Sequence, residues 1–166
     1  MHVVKVEQKL IVNAEARGIA EREMAVSAEQ LFATLEDGRS YSRWVPAIRR
    51  VTWTSSKPFG TGTTRTVRLA GGARVDEVFW AWETNRRIGF SVSASSVRWL
   101  TALTELYEIT AVSPDRCTLR WTFAVRLAGV LGWFEPYIAG LMVRAQNRML
   151  QALERVAREH PTANAD

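Results

Sequence analysis

The sequence of 166 residues is poor in cysteine and histidine, and these absences exclude several kinds of site. Cys117 is the only cysteine, so these residues cannot form a disulfide with one another, which favours a reducing compartment and predicts a cytoplasmic protein. The two histidines, His2 and His160, lie near the two ends. Catalytic triads need a rigidly held histidine, and zinc sites need a Cys/His cluster. We therefore expect no metal or other cofactor, and any acid–base chemistry must use Asp, Glu, Tyr, Lys or Arg.

A long hydrophobic run is also missing. The most apolar stretch, residues 123–143, is interrupted by Arg126, Glu135 and Pro136, so it is not expected to span a bilayer. The opening MHVVKVEQKLIV lacks the apolar region and small-residue cleavage site of a signal peptide. Hydrophobic residues make up 47% and charged residues 23%, which is typical of a globular domain.

The charge balance is moderately basic. The chain has 22 basic and 17 acidic residues, a formal net charge of +5, and 19 of the basic residues are arginine. These arginines are scattered, and the longest clusters are the pairs Arg49-Arg50 and Arg86-Arg87. Nucleic-acid-binding domains concentrate basic residues in a stripe or patch. We therefore interpret the arginines as a solvated surface and expect no nucleic-acid partner.

The first quarter of the chain combines extended segments with two short helices. Period-two patterns predict strands over residues 3–12 and 15–26. Ser27 and Gln30 have the spacing of a capping box, which predicts a helix that begins after Ser27 and ends at Asp37-Gly38. A second short helix or turn runs through Tyr41 and Trp44.

The rest of the chain predicts a sheet followed by one long helix. Short turns separate six strand-like runs, which predicts an antiparallel meander. The runs are Ile48–Ser55, Thr63–Ala70, Arg74–Glu83, Arg87–Ser95, Leu100–Val112 and Cys117–Leu127. Apolar residues then recur at helical spacing over residues 134–158. This order predicts an α+β domain in which a curved sheet of six to seven strands wraps the long helix.

The sequence resembles the START-like, or helix-grip, superfamily. The opening signature is Val26–Phe32 (VSAEQLF), followed by Trp44-Val45-Pro46 and Val51. Further matches are Gly60-Thr61-Gly62, Arg86-Arg87-Ile88 after a turn, and Tyr107-Glu108-Ile109 leading to Thr118. The superfamily includes the birch pollen allergen and the polyketide cyclase/dehydrase and lipid-transport family. The resemblance covers about residues 15–158 and implies a deep apolar cavity between the sheet and the helix.

These patterns predict one ligand-binding domain over residues 1–160 and a flexible tail over residues 161–166. Aromatic residues are expected to line its cavity, because strand residues two apart share a face. On this basis Val78, Trp80 and Trp82 point inward together, and Phe79 points away, towards a partner subunit. The candidate ligand-binding residues are Trp44, Trp53, Arg65, Val67, Trp80, Trp82, Phe90, Glu105, Tyr107, Trp121, Phe123, Phe134, Ile138, Leu141 and Met142.

Two charged residues fall on the same inward face. Arg65 alternates with Thr63 and Val67, and Glu105 alternates with Tyr107. A buried charge needs a partner, so Arg65 and Glu105 either pair with each other or meet a ligand carboxylate and hydroxyl. A one-residue shift in register would instead leave both charges in solvent.

Other polar positions are expected on the surface. Asp76, Glu77 and Glu83 are interpreted as surface carboxylates, and Ser91, Ser93 and Ser95 as an exposed polar face. Gly140 lies inside the long helix, where glycine is unfavourable. A close approach of helix and sheet, or room for a ligand, would explain it.

Three functions remain open from the sequence. The first is non-catalytic binding, as a carrier or sensor, of a hydrophobic or aromatic small molecule such as a lipid, polyketide or quinone. The second is a polyketide aromatase/cyclase, with Tyr107 as acid, Glu105 as base and Arg65 as anchor. The third is a regulatory interaction module. The expected partners are a hydrophobic ligand and a transient membrane contact, in a monomer or homodimer.

Overall fold

The computed structural model describes residues 1–3, 11, 14, 16–129 and 135–159. In this part of the chain the strands form one eight-stranded antiparallel sheet. The strands are β1 (His2–Val3), β2 (Ala16–Met24), β3 (Ile48–Trp53), β4 (Thr64–Leu69), β5 (Arg74–Glu83), β6 (Arg87–Ser95), β7 (Leu100–Ser113) and β8 (Arg116–Leu127). Their order is β2-β8-β7-β6-β5-β4-β3, and β1 pairs with β6. Each strand from β3 to β8 therefore lies beside its neighbour in the chain, which confirms the meander.

Two short helices connect β2 to β3. Helix α1 (Ala28–Glu36) begins after Ser27, whose Oγ accepts a hydrogen bond from the Gln30 backbone N–H at 3.0 Å. This is the predicted cap, and it satisfies one of the free N–H groups at the helix start. Helix α2 covers Tyr41–Trp44. The Tyr41 hydroxyl donates to the Leu35 carbonyl oxygen at 2.9 Å and fastens α2 to α1.

The long helix α3 (Glu135–Arg158) packs against β2 and the concave side of the sheet. Its C-terminal half is buried through Leu150, Leu153 and Ala157. Glu154 fixes this half to β2: its carboxylate accepts from Arg22 Nε at 3.0 Å and from the Ala25 backbone N–H at 3.2 Å. The architecture is the predicted helix-grip fold. No helix among the described residues has the length and hydropathy needed to cross a membrane.

Among the described residues, the core contains two large apolar clusters and a small third one formed by Ala102 and Ala124. The larger of the two large clusters combines β2, α1, α2, the end of α3 and the middle of the sheet. The smaller of the two contains Val67, Val75, Val92, Leu100, Phe123, Val125 and Leu127. Ile48 packs against both clusters, Met149 against the larger and Met142 against the smaller. The space between the two clusters is therefore bounded by α3 and the start of β3.

An irregularity in β5 corrects the predicted faces of its aromatic residues. The pairing of β5 with β6 shifts between Phe79 and Ala81, which leaves Trp80 as an extra residue. Such a bulge breaks the alternation of side chains. Phe79 is consequently buried in the core and not turned towards a partner subunit, and Trp82 packs beside it with ring centroids 5.2 Å apart. Trp80 lies over the other face, where its indole covers Gly89.

The predicted exposed serine face is also wrong. Ser91 and Ser95 are buried, and Ser93 is half-buried. The Ser91 hydroxyl donates to Thr104 Oγ1 at 2.9 Å, and Trp80 Nε1 donates to the same oxygen at 3.3 Å. Trp80 therefore covers the hydrogen-bonded pair Ser91 and Thr104.

Of the three carboxylates that were predicted to lie on the surface, one is buried. Glu83 is exposed and Asp76 is half-buried, but Glu77 is buried. Of the helix residues, Leu141 is 49% exposed and does not face the sheet. Phe134 and the Ile138 side chain lie outside the described residues, as does most of the predicted strand 3–12.

Two glycines give a matched test of this packing. A Cβ on Gly89 would lie 2.7 Å from the Trp80 ring, whereas a Cβ on Gly140 meets nothing within 4 Å. A close approach to the sheet therefore does not explain Gly140, which is exposed. We expect Gly89→Ala to lower the free energy of unfolding by about 1–3 kcal/mol, because Trp80 must move. Gly140→Ala should raise it by about 1 kcal/mol.

Urea unfolding followed by circular dichroism measures both changes. A neutral effect of Gly89→Ala would show that the Trp80 indole does not rest on Gly89 in solution.

Candidate functional site

A cavity of about 440 Å³ lies between the sheet and α3. Its walls come from the loop before β3, from the inward faces of β4 to β8 and from the middle of α3. The lining residues are Tyr41, Val45, Pro46, Ala47, Ile48, Arg65, Glu77, Phe90, Glu105, Tyr107, Trp121, Met142, Ala145, Arg148 and Met149. Pro46, Ala47 and Arg148 are exposed as well as lining, so they mark its mouth.

A buried ion pair forms part of the cavity wall. Arg65 of β4 lies directly opposite Glu77 of β5 in the strand register, so both side chains point inward. Arg65 Nε donates to Glu77 Oε2 at 2.5 Å, and the two residues are 1% and 6% exposed. The inward position of Arg65 was predicted, but its partner is Glu77 and not Glu105. Glu77 was wrongly interpreted as a surface residue.

Four aromatic rings surround the guanidinium of Arg65. Its central carbon lies 4.4 Å from the ring centroid of Tyr41, 4.6 Å from Phe90, 5.0 Å from Phe79 and 5.5 Å from Trp53. Cation–π contacts of this kind are strongest where water is excluded. Burial lowers the pKa of Arg65, but Glu77 and Tyr41 together outweigh burial and raise it, so the guanidinium stays charged.

One donor of this guanidinium is unused. Among the described residues, Arg65 Nη1 is buried and has no hydrogen-bond partner. A buried donor without an acceptor is costly, and more so when it carries charge. A ligand atom that accepts this hydrogen bond would remove the cost.

A second polar group lies on β7. Glu105 Oε2 accepts from the Tyr107 hydroxyl at 2.8 Å and from Trp121 Nε1 at 2.9 Å. The rings of Tyr107 and Trp121 stack with centroids 5.2 Å apart. Burial raises the pKa of Glu105 to about 7, and the hydrogen bond from Tyr107 only partly opposes that rise. The carboxyl group therefore titrates near neutral pH.

The structure brings six of the predicted ligand-binding residues to the cavity: Arg65, Phe90, Glu105, Tyr107, Trp121 and Met142. Trp44 lies behind the wall, with its ring edge-on to Trp121 at 5.9 Å. Trp53 and Trp82 belong to the aromatic cluster beside Arg65. The remaining described residues do not line the cavity: Val67 and Phe123 belong to the smaller core cluster, Trp80 lies on the outer face and Leu141 is exposed.

Sequence reasoning missed Tyr41, Glu77 and the mouth residues Pro46, Ala47 and Arg148. Glu77 could have been found, because it is two residues from both Val75 and Phe79 on β5. Period-two alternation gives these three residues one face, provided that Phe79 is placed inside.

The lining can bind, orient and exchange protons. Its walls are mostly apolar and aromatic, and the charged groups within them are the Arg65–Glu77 ion pair and the titratable Glu105 carboxyl group, with Arg148 at the mouth. Among the described residues, no group of three or more His, Cys, Asp or Glu side chains has the geometry to hold a metal ion.

The ion pair gives a first test of the site. Replacing Glu77 with Leu leaves the buried Arg65 charge without its partner, which should lower the free energy of unfolding by about 3–5 kcal/mol. The double variant Arg65→Met/Glu77→Leu removes both charges and should recover most of that loss. Asp76→Asn, which breaks the partly exposed pair with Arg74, should cost about 1 kcal/mol or less.

Chemical denaturation of the wild type, Arg65→Met, Glu77→Leu and the double variant gives the coupling free energy directly. Equal losses for Glu77→Leu and the double variant would contradict the assignment of Glu77 as the partner that Arg65 requires.

Known proteins resemble this chain in sequence, and others resemble it in fold. The family model for polyketide cyclase / dehydrase and lipid transport matches residues 15–158. Uncharacterised proteins of Mycobacterium tuberculosis and Mycobacterium bovis are each 41% identical to this chain over 137 residues, which cover 80% of this chain and 79% of each relative.

Two solved structures illustrate the shared fold. A START superfamily protein from Mycobacterium smegmatis matches with a TM-score of 0.73 at 16% identity, over 86% of this chain and 97% of that one. The Zhui aromatase/cyclase of a Streptomyces species matches with a TM-score of 0.64 at 17% identity, over 89% and 96%. The fold is thus shared, and the family match extends over most of the sequence: the chain belongs to the polyketide cyclase/dehydrase and lipid transport family.

Proposed function

We propose that this protein binds a hydrophobic or aromatic small molecule in the cavity between its sheet and α3. The observation that carries the proposal is a cavity of about 440 Å³ with apolar walls and a few fixed polar atoms. Small-molecule sites in proteins have this composition and volumes of about 300–1,000 Å³. Lipids, polyketides and quinones are the ligand classes that the family and the aromatic lining support.

The polar atoms define one end of the ligand. Arg65 Nη1 offers an unused donor, and the charge of Arg65 is already offset by Glu77. A neutral acceptor such as a carbonyl oxygen suits this donor better than a carboxylate, because a second buried anion would not be compensated. Glu105 adds a carboxyl group that donates when protonated and accepts when ionised.

A cyclase-type activity is the second candidate, and the pKa of Glu105 is the observation that favours it. A general base or acid works best when its pKa lies near the working pH, and that of Glu105 is about 7. In this reading Glu105 moves a proton to or from the bound chain, Tyr107 holds the carboxyl group and donates as acid, and Arg65 orients a carbonyl oxygen. Positioning of the chain within the cavity supplies the rest of the acceleration.

Filling the cavity tests the binding proposal. Ala145 lines the cavity, so Ala145→Trp should occupy ligand space and weaken binding of an apolar fluorescent probe by about tenfold or more, which corresponds to about 1.4 kcal/mol or more. The matched control is Asn147→Trp on the exposed side of α3. Titration followed by probe emission and tryptophan quenching measures both. Equal affinities in the two variants would place the probe outside the cavity.

The charge state of Glu105 gives a second test. Because its pKa is raised in the folded state, the native protein holds this proton more tightly than the unfolded chain does. The resulting stability is present below the ordinary pKa near 4.5 and is lost as pH rises to about 7. We therefore expect the free energy of unfolding of the wild type to fall, relative to that of Glu105→Gln, between about pH 5 and about pH 8.

Parallel stability curves for the two proteins across this range would show an ordinary pKa. Binding and turnover then separate the two candidate functions. A cyclase should lose turnover in Glu105→Gln while it still binds substrate, whereas a carrier should change only its affinity for ligands with a matching polar group.

A further inference from the structure

Basic residues are unevenly distributed along the chain. Between Asp37 and Asp76 the sequence contains eight basic residues and no acidic one. Four of the eight pair with carboxylates from elsewhere: Arg43, Lys57, Arg65 and Arg74. The other four have no ion-pair partner among the described residues: Arg39, Arg49, Arg50 and Arg68. The arginines are therefore not simply scattered.

The middle of α3 shows the same imbalance. Between Glu135 and Glu154 the charged residues are Arg144 and Arg148, both exposed and both without an ion-pair partner in the part of the chain that is described. Several exposed arginines elsewhere have carboxylate partners, as Arg116 does in Glu23, whereas Arg86, Arg98 and Arg155 have none among the described residues.

These two segments meet at the mouth of the cavity. Pro46 and Ala47 line it from one side and Arg148 from the other. Arg49 and Arg50 directly follow Ile48, another lining residue, and both are exposed. The mouth is thus bordered by unpaired positive charge on both sides.

Apolar side chains continue this border along α3. Tyr137, Leu141, Arg144 and Arg148 follow one another at intervals of four, three and four residues, which places them on one stripe of the helix. Tyr137 is 71% and Leu141 49% exposed, so two large apolar side chains project into solvent beside two arginines. Together with Pro46, Ala47, Arg49 and Arg50, this stripe forms what we term the basic rim.

We propose that the basic rim docks on the surface of a bilayer containing anionic lipids, so that the cavity exchanges its ligand with the membrane. Anionic headgroups attract basic residues near the surface, and exposed aromatic and leucine side chains enter the boundary between headgroups and acyl chains. An acidic protein would complement the charge of the arginines, but it would not explain why Tyr137 and Leu141 are exposed beside them. The inference rests on the proposed function, because docking brings the cavity mouth to a source of hydrophobic ligand.

Vesicle co-sedimentation of the full chain tests the docking. The protein should bind vesicles of phosphatidylcholine mixed with phosphatidylglycerol, bind phosphatidylcholine alone more weakly, and lose binding at high salt. Arg49→Glu and Arg144→Glu should each weaken binding by about fivefold or more, since each basic residue near an anionic surface contributes about that factor. Leu141→Ser should weaken it without any change of charge.

The matched control is Arg86→Glu. This arginine is exposed in the turn between β5 and β6. The basic rim lies near the opposite end of β5, because Arg74 at the start of β5 is opposite Arg68 of β4, which is in turn opposite Arg50 of β3 in the strand register. Arg86→Glu changes the net charge by the same amount as Arg49→Glu or Arg144→Glu, but its vesicle binding should match that of the wild type. Equal weakening by Arg86→Glu and Arg144→Glu would reduce the effect to net charge and overturn the proposal.

Two further outcomes would also overturn it. Equal binding to both kinds of vesicle would remove the role of anionic lipid. Arginine dependence without any effect of Leu141→Ser would point to an acidic macromolecule instead of a membrane.

Ala145→Trp separates this proposal from the function of the cavity. It should weaken probe binding in solution by about tenfold or more but leave vesicle binding unchanged. A protein that binds vesicles through the rim yet takes up no probe would retain the docking surface and lose the ligand-binding function. The reverse result would leave a ligand-binding cavity without a membrane surface.

Discussion

Burial of the Arg65 guanidinium is the constraint on which the rest of the site depends. A charged side chain that is only 1% exposed needs an opposite charge as a partner, and it needs neighbouring groups that stabilise the charge without water. Glu77 supplies the first from the neighbouring strand, and the rings of Tyr41, Phe79, Phe90 and Trp53 supply the second. The position of α2 follows from this, because α2 carries Tyr41. The arrangement fixes a polar atom deep in an apolar wall, where a free carboxylate or lysine would move or lose its charge.

Glu105 shows how the same cavity is compatible with two functions. Its carboxyl group is held by Tyr107 and Trp121 on one oxygen only, in a wall that raises its pKa to about 7. A binding protein uses such a group to recognise a polar atom of its ligand, and an enzyme uses it to move a proton. The fold does not decide between them, since a site and not an architecture carries the chemistry.

The sequence predicted the architecture well because each element has its own local signal. The Ser27 cap, the strands over Arg74–Glu83 and Arg87–Ser95, and the long final helix follow from capping, turn residues and periodicity. The inward positions of Arg65 and Glu105 also followed, because β4 and β7 alternate regularly around them.

The β5 wall was predicted wrongly because a bulge leaves no clear local signal. With Trp80 as an extra residue, Phe79 and Trp82 share a face although they are three positions apart. Strict alternation anchored on the two tryptophans therefore turned Phe79 outward, and with it Glu77. The partner of Arg65 depends on that register, so the ion pair could be found only from the pairing of whole strands.

The two halves of α3 differ in how they are held, and this has a mechanical consequence. The C-terminal half is fixed by buried Leu150, Leu153 and Ala157 and by the contacts of Glu154 with β2. In the half that borders the cavity mouth, the described residues Tyr137, Gly140, Leu141 and Arg144 are exposed. The described contacts therefore hold the helix mainly at its C-terminal end. A small tilt of the helix about that end would widen the mouth and leave the larger core cluster and the sheet in place.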